Sequence, residues 1–120
     1  MTDHVFVDTN VLLYARDPSE GPKHVAARQW VEQLWNDGNG RTSVQVLNEF
    51  YDVATRRLSR PLTADEAWDD VRALFAWRPQ AIDEDLLQAA HAIEQRFRLS
   101  WWDSLIVAAA HAQQCAVLLT

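Results

Sequence analysis

The runs of this sequence that read as strands are short, apolar and never adjacent. Val5 to Val7 and Ala116 to Leu119 are the clearest, and helical spacing fills most of the chain between them. Strands kept apart by helices, with no hairpin signal between alternating apolar runs, pair in parallel through crossovers rather than by tight reversal. The expected fold class is therefore α/β, a small parallel β-sheet flanked by α-helices. A chain of 120 residues that is 48% hydrophobic supports one such core without staples, so a single domain over residues 1–120 is expected. No internal repeat, low-complexity tract or linker divides it.

Between the strands, Ala27, Trp30 or Val31, and Leu34 mark one apolar helical face, and Asp37 to Gly40 supply turn residues that end it. Thr42 and Gln45 have capping-box spacing ahead of a helix expected from about Ser43 to Arg57, with Val44, Leu47, Tyr51, Ala54 and Leu58 as its buried face. After Pro61, Thr63 and Glu66 form a second box, opening a helix that buries Ala67, Val71, Leu74 and Phe75. Residues 78–81 read as a further short strand. Asp83 caps a helix buried through Leu86, Ala90, Ile93 and Phe97. Ser100 caps the next, WWDSLIVAAAHA, which is apolar nearly all the way round and so packs on several sides. The six tryptophans lie on or beside these apolar faces, and most are expected in the core.

The formal charge of −6 argues against a passive nucleic-acid coat, which needs excess Lys and Arg. It leaves two readings open: an acidic surface that keeps the protein soluble, or carboxylates gathered around a divalent cation. Cys115 stands alone in apolar surroundings, which excludes an intramolecular disulfide and suggests a small buried hydrophobe. No stretch has the length of a membrane span, and MTDHVF lacks signal-peptide features, so a cytoplasmic location is expected.

Three carboxylates stand at core boundaries. Asp8 closes the VFV strand, where α/β proteins commonly bind ligands; it reads equally as the cap of the following helix. Glu49 borders an apolar stripe, with Val46 before it and Val53 after; alone it reads as a surface Glu paired with an Arg. Asp103 lies in the first turn of the most apolar helix, either as a charge facing a cation or cleft, or as a partner of Ser100 and the helix dipole. If the three converge, their repulsion demands a counter-ion, and oxygen ligands suit Mg²⁺ or Mn²⁺. Lys23 is the sole lysine, and His4, His24, His91 and His111 have no zinc-ligand spacing. A phosphatase using Asp8 as nucleophile would need an acid two positions on, where Asn10 stands.

The segments VFVDTNVLLYARD, TSVQVLNEFYDV and LSWWDSLIVAAA, in this order and across nearly the whole chain, resemble the PIN domain, and in particular the VapC-type toxin ribonucleases of bacterial toxin-antitoxin pairs. The resemblance implies a three-layer α/β/α fold and an endoribonuclease with acidic residues around Mg²⁺ or Mn²⁺. Asp8, Glu49 and Asp103 match the family's acidic positions, and Thr9, Asn10, Ser43 and Ser104 match neighbouring polar positions. In this reading Asp8 and Asp103 are the principal ligands, Glu49 is a ligand or positions the water, and Asn10 and Ser43 support them. The resemblance also implies an RNA substrate, a homodimer, and a cognate antitoxin that places a basic side chain among the acids. The family usually carries a fourth acid after the last strand, and the sequence stops at Thr120. The expectation drawn from this is a shortened C-terminal segment, weaker metal binding and a sheet edge open to another copy. The alternative is a non-catalytic binding module of the same fold. Arg56, Arg57 and Arg60 read either as a solvated helix end or as guides for an RNA backbone.

Overall fold

The apolar VFV run forms the middle of a parallel sheet, in a computed structural model that describes residues 3–120. Strand β1 (His4–Val7) lies between β2 (Gly40–Arg41) and β3 (Cys115–Leu119). Val5, Phe6 and Val7 are all buried, which is why the run is continuously apolar instead of alternating. Helices α1 (Thr9–Arg16) and α2 (Pro22–Asp37) connect β1 to β2; α3 (Val44–Arg56), α4 (Ala64–Leu74), α5 (Glu84–Phe97) and α6 (Trp101–Ala112) connect β2 to β3. Helix α1 packs on α2 and α3, α3 on α4, and α5 on α6, which also meets β3. The expected α/β class, a parallel sheet between helical layers, is the observed one.

Local details depart from the sequence-based expectation, each for a physical reason. Gly40 is not part of a turn but the first residue of β2, paired with Val5. Thr42 does not cap α3, because its Oγ1 donates to the Val7 carbonyl at 3.1 Å and ties the end of β2 to β1. Ser43 is the cap, its Oγ accepting from the Val46 N–H at 3.2 Å. The buried face is accordingly Val46, Leu47, Phe50 and Ala54, while Val44 and Tyr51 are exposed. Replacing Ser43 with Ala removes this cap and should cost about 1 kcal/mol in urea unfolding.

Residues 78–81 contribute a single parallel bridge, Gln80 to Ser43, rather than a strand, and Arg78 turns through a left-handed conformation (φ 52°). The far ends of two expected apolar faces, Phe75 and Phe97, are exposed, as are Val117 and Leu118 on β3, which pairs only with β1 among the described residues. Of the tryptophans, Trp77 is core at 2% exposure, Trp101 is half-buried, and Trp30, Trp35, Trp68 and Trp102 are exposed. A helical apolar face is wider in sequence than the groove it fills, so its bulky flanking residues are left in solvent. Among the described residues no helix is long and apolar enough to cross a membrane.

Candidate active site

Asp8 stands where β1 ends and α1 begins, and the capping geometry is present: its Oδ1 accepts from the Thr9 backbone N–H at 2.7 Å. The next side chain crosses to a distant segment. Thr9 is buried, and its Oγ1 donates to Glu49 Oε2 at 2.9 Å. One turn before Glu49 on α3, the buried Gln45 donates its Nε2 to Glu49 Oε1 at 3.3 Å and to the Trp102 carbonyl, also at 3.3 Å. A chain of polar contacts therefore runs from the end of β1 through α3 to the first turn of α6. Asp103 follows Trp102 in that turn, its backbone N–H donating to Ser100 Oγ at 3.1 Å.

The electrostatics agree with this convergence. The Asp8 carboxyl is pushed above its ordinary range, first by burial; the Thr9 N–H works in the opposite direction, and the charges of Glu49 and Asp103 raise it further. Acids supplied by the end of β1, by α3 and by α6 thus share one neighbourhood. Among the described residues the ion pairs are Arg16–Asp70, Arg56–Asp52 and Arg72–Asp69, none of which neutralises this group. Glu49 is therefore not the Arg-paired surface residue of its ordinary reading. Asp103 is exposed, contrary to the expectation of a buried charge, because the buried face of α6 begins at Ser104 and Leu105.

The donor set is all oxygen, with no thiol or imidazole in it, which fits a hard divalent cation. As the side chains stand, no three His, Cys, Asp or Glu groups among the described residues surround a common point closely enough to hold one. Both oxygens of Glu49 are engaged by neutral donors instead.

The remaining polar candidates have distinct positions. Asn10 is exposed in the first turn of α1, Ser43 is buried as the α3 cap, and Ser104 is buried with its Oγ donating to the Ser100 carbonyl at 2.8 Å. Ser43 and Ser104 fix the starts of the two helices that carry Glu49 and Asp103. Thr9 is the one of the four that touches an acid directly. Gln45 was visible in the sequence only as a capping partner; its spacing of four residues from Glu49 on a helix was the signal for its second role. Arg56 pairs with Asp52 in solvent, and Arg57 and Arg60 are exposed. Cys115 is half-buried and its thiol is pushed up by burial, a hydrophobic position rather than a nucleophilic one.

The fold and the acids together define a parallel α/β domain with a carboxylate cluster at the carboxyl end of its central strand. The sequence matches the PIN domain over residues 5–120, and the chain belongs to that family. No curated protein sequence matches it significantly. Among solved structures it is similar to VapC20 of Mycobacterium tuberculosis, described as a Sarcin-Ricin loop cleaving toxin. That likeness has 20% identity and a TM-score of 0.68, covers 95% of this chain and 86% of the other, and concerns the fold.

Proposed function

We propose that this protein is a metal-dependent endoribonuclease, the toxin of a VapC-type toxin-antitoxin pair. PIN-domain proteins of this kind are nucleases. The observation that carries the proposal for this chain is the run of contacts from Asp8 and Thr9 through Glu49 and Gln45 to the first turn of α6, where Asp103 stands; the Asp8 carboxyl, raised by burial and by the charges of Glu49 and Asp103, agrees with it. Asp8 and Asp103 would be the principal ligands of Mg²⁺ or Mn²⁺, with Glu49 as a third ligand or as the group that orients the attacking water. The bound ion would supply Lewis acidity toward water and phosphate. The chain's own groups set the stage for this: the Thr9 N–H fixes one Asp8 oxygen, while the Thr9 hydroxyl and Gln45 hold Glu49 in place. Ser43 and Ser104 hold the helix starts, and Asn10 is available to a substrate from the surface.

The partners proposed with this reading are an RNA substrate, a second copy of the chain, and an antitoxin that places a basic side chain among the acids. Exposed apolar residues on α3, on α4 and just after it, including Tyr51, Trp68 and Phe75, offer surface for protein contacts. A second reading, a binding module without cleavage, draws on the fact that the carboxylates are not gathered into a ligand set as they stand.

Incubating the protein with candidate RNAs, a sarcin-ricin loop fragment first, with Mn²⁺ or with excess chelator, separates the two. Cleavage that survives chelation would reject the metal mechanism, and RNA binding without cleavage would favour the module. A readout independent of turnover is the melting temperature: Mn²⁺ at a hundred times its dissociation constant should stabilise the protein by about 2.7 kcal/mol. Thr9→Val removes the hydroxyl that holds Glu49 and should lower cleavage by about 10- to 100-fold in the same assay. An unchanged rate would remove Thr9 from the site.

A further inference from the structure

We infer that Trp102 is a stacking platform for an unpaired RNA base beside the acidic cluster. This rests on the nuclease reading above and names the substrate form it takes, a single-stranded segment. Trp102 is the most exposed of the six tryptophans at 63%, although it lies in the first turn of a mostly apolar helix. Trp35 has Trp77 at 6.1 Å between ring centroids and Trp68 has Phe75 at 6.0 Å, whereas Trp102 has no aromatic partner among the described residues. Its backbone is held firmly nonetheless. The Trp102 carbonyl accepts from Gln45, the same Nε2 that bonds Glu49, and the next residue is Asp103.

A large apolar ring held in water at the edge of a polar cluster has surface to cover. A base offers a flat π-face that covers it in a sequence-tolerant way, whereas a paired base inside a duplex does not present that face. The acids beside it would then meet the backbone of the same strand. Trp102 accordingly selects for unpaired substrate and adds affinity without entering the chemistry.

The test uses fluorescein-labelled single-stranded oligo-U and oligo-A 12-mers and a duplex 12-mer, with Asp8→Asn as the parent so that no RNA is cut during binding. Single strands should bind more tightly than the duplex. Trp102→Ala should weaken single-strand binding about tenfold, Trp102→Phe should restore most of it, and Trp30→Ala, another exposed tryptophan, should change nothing. On an RNA that the unmodified protein cleaves, Trp102→Ala should raise KM about tenfold and leave kcat within about twofold. Equal binding and equal KM in Trp102→Ala would overturn the inference while leaving the nuclease reading intact. Loss of binding to a partner protein, with RNA binding unchanged, would overturn it equally. A protein that neither binds nor cuts RNA in Mn²⁺ would reject both readings together.

Discussion

Replacing Asp8 with Asn should lower RNA cleavage by at least about a hundredfold and, at neutral pH, raise the melting temperature instead of lowering it. The two effects have one cause. Folding moves the Asp8 carboxyl above its ordinary value of 3.8, through burial and the charges of Glu49 and Asp103. A carboxyl that binds its proton more tightly in the fold favours the folded state below its unfolded value. That contribution is lost as the pH rises through the folded value. At neutral pH the ionised group therefore works against the fold. An asparagine side chain keeps the shape, keeps an oxygen for the Thr9 N–H and is an equally good helix cap, but carries no charge.

The difference in melting temperature between the Asp8→Asn variant and the parent should shrink as the pH falls toward about 4, near the ordinary carboxylate range. Mn²⁺ should stabilise the parent more than the variant. Cleavage by the parent should fall on the acid side as Asp8 takes up its proton. A variant that melts below the parent at neutral pH would show that Asp8 is comfortably solvated, and that the cluster lacks the tension from which the metal site is argued.

Gly40→Ala should be the most disruptive single-atom addition. A Cβ at Gly40 would come within 2.5, 2.6 and 2.9 Å of Cε2, Cζ2 and Cδ2 of Trp77. The obstacle is not the mobile tip of a long side chain: Trp77 is 2% exposed and lies against Trp35. Overpacking of this kind costs about 1–3 kcal/mol, a fall of roughly 5–15 °C in melting temperature for a domain of this size. Activity should suffer beyond the lost stability, because β2 leads through Thr42 and Ser43 directly into the helix that carries Glu49. Combining Gly40→Ala with Trp77→Leu should recover part of the loss, a non-additivity that a double-mutant cycle reads. A Gly40→Ala protein that melts like its parent would show that the contact has room to yield.

What the sequence made legible follows from which forces are local. Helices α3 to α6 were readable because caps and apolar spacing act within a few residues, and β1 because a buried strand must be continuously apolar; β3 was readable as an apolar run, but its burial was not, since three of its five residues are exposed. Strand β2 was not, since Gly40 reads as a turn until its approach to Trp77 is known. The three acids were visible as carboxylates at apolar boundaries. Their separation in space was not, nor was the exposure of Asp103, because the buried side of a nearly all-apolar helix is chosen by its neighbours. Thr42 and Ser43 are equivalent caps on paper; the Val7 carbonyl decides between them by engaging Thr42. Most tryptophans lie in solvent and not in the core for a similar reason, since a short groove accepts only some of the bulky residues offered to it.

The pairing of β1 with β3 also orders events during synthesis. The central strand comes off the ribosome before both of its neighbours, one of which consists of residues 115–119, and the proposed site takes Asp103 from the helix just before them. Closing so long a loop is a late and slow step compared with forming helices. On the nuclease reading, a nascent chain is harmless to the RNA around it until nearly all of this domain has been made, and the cutting centre is born only with the finished sheet.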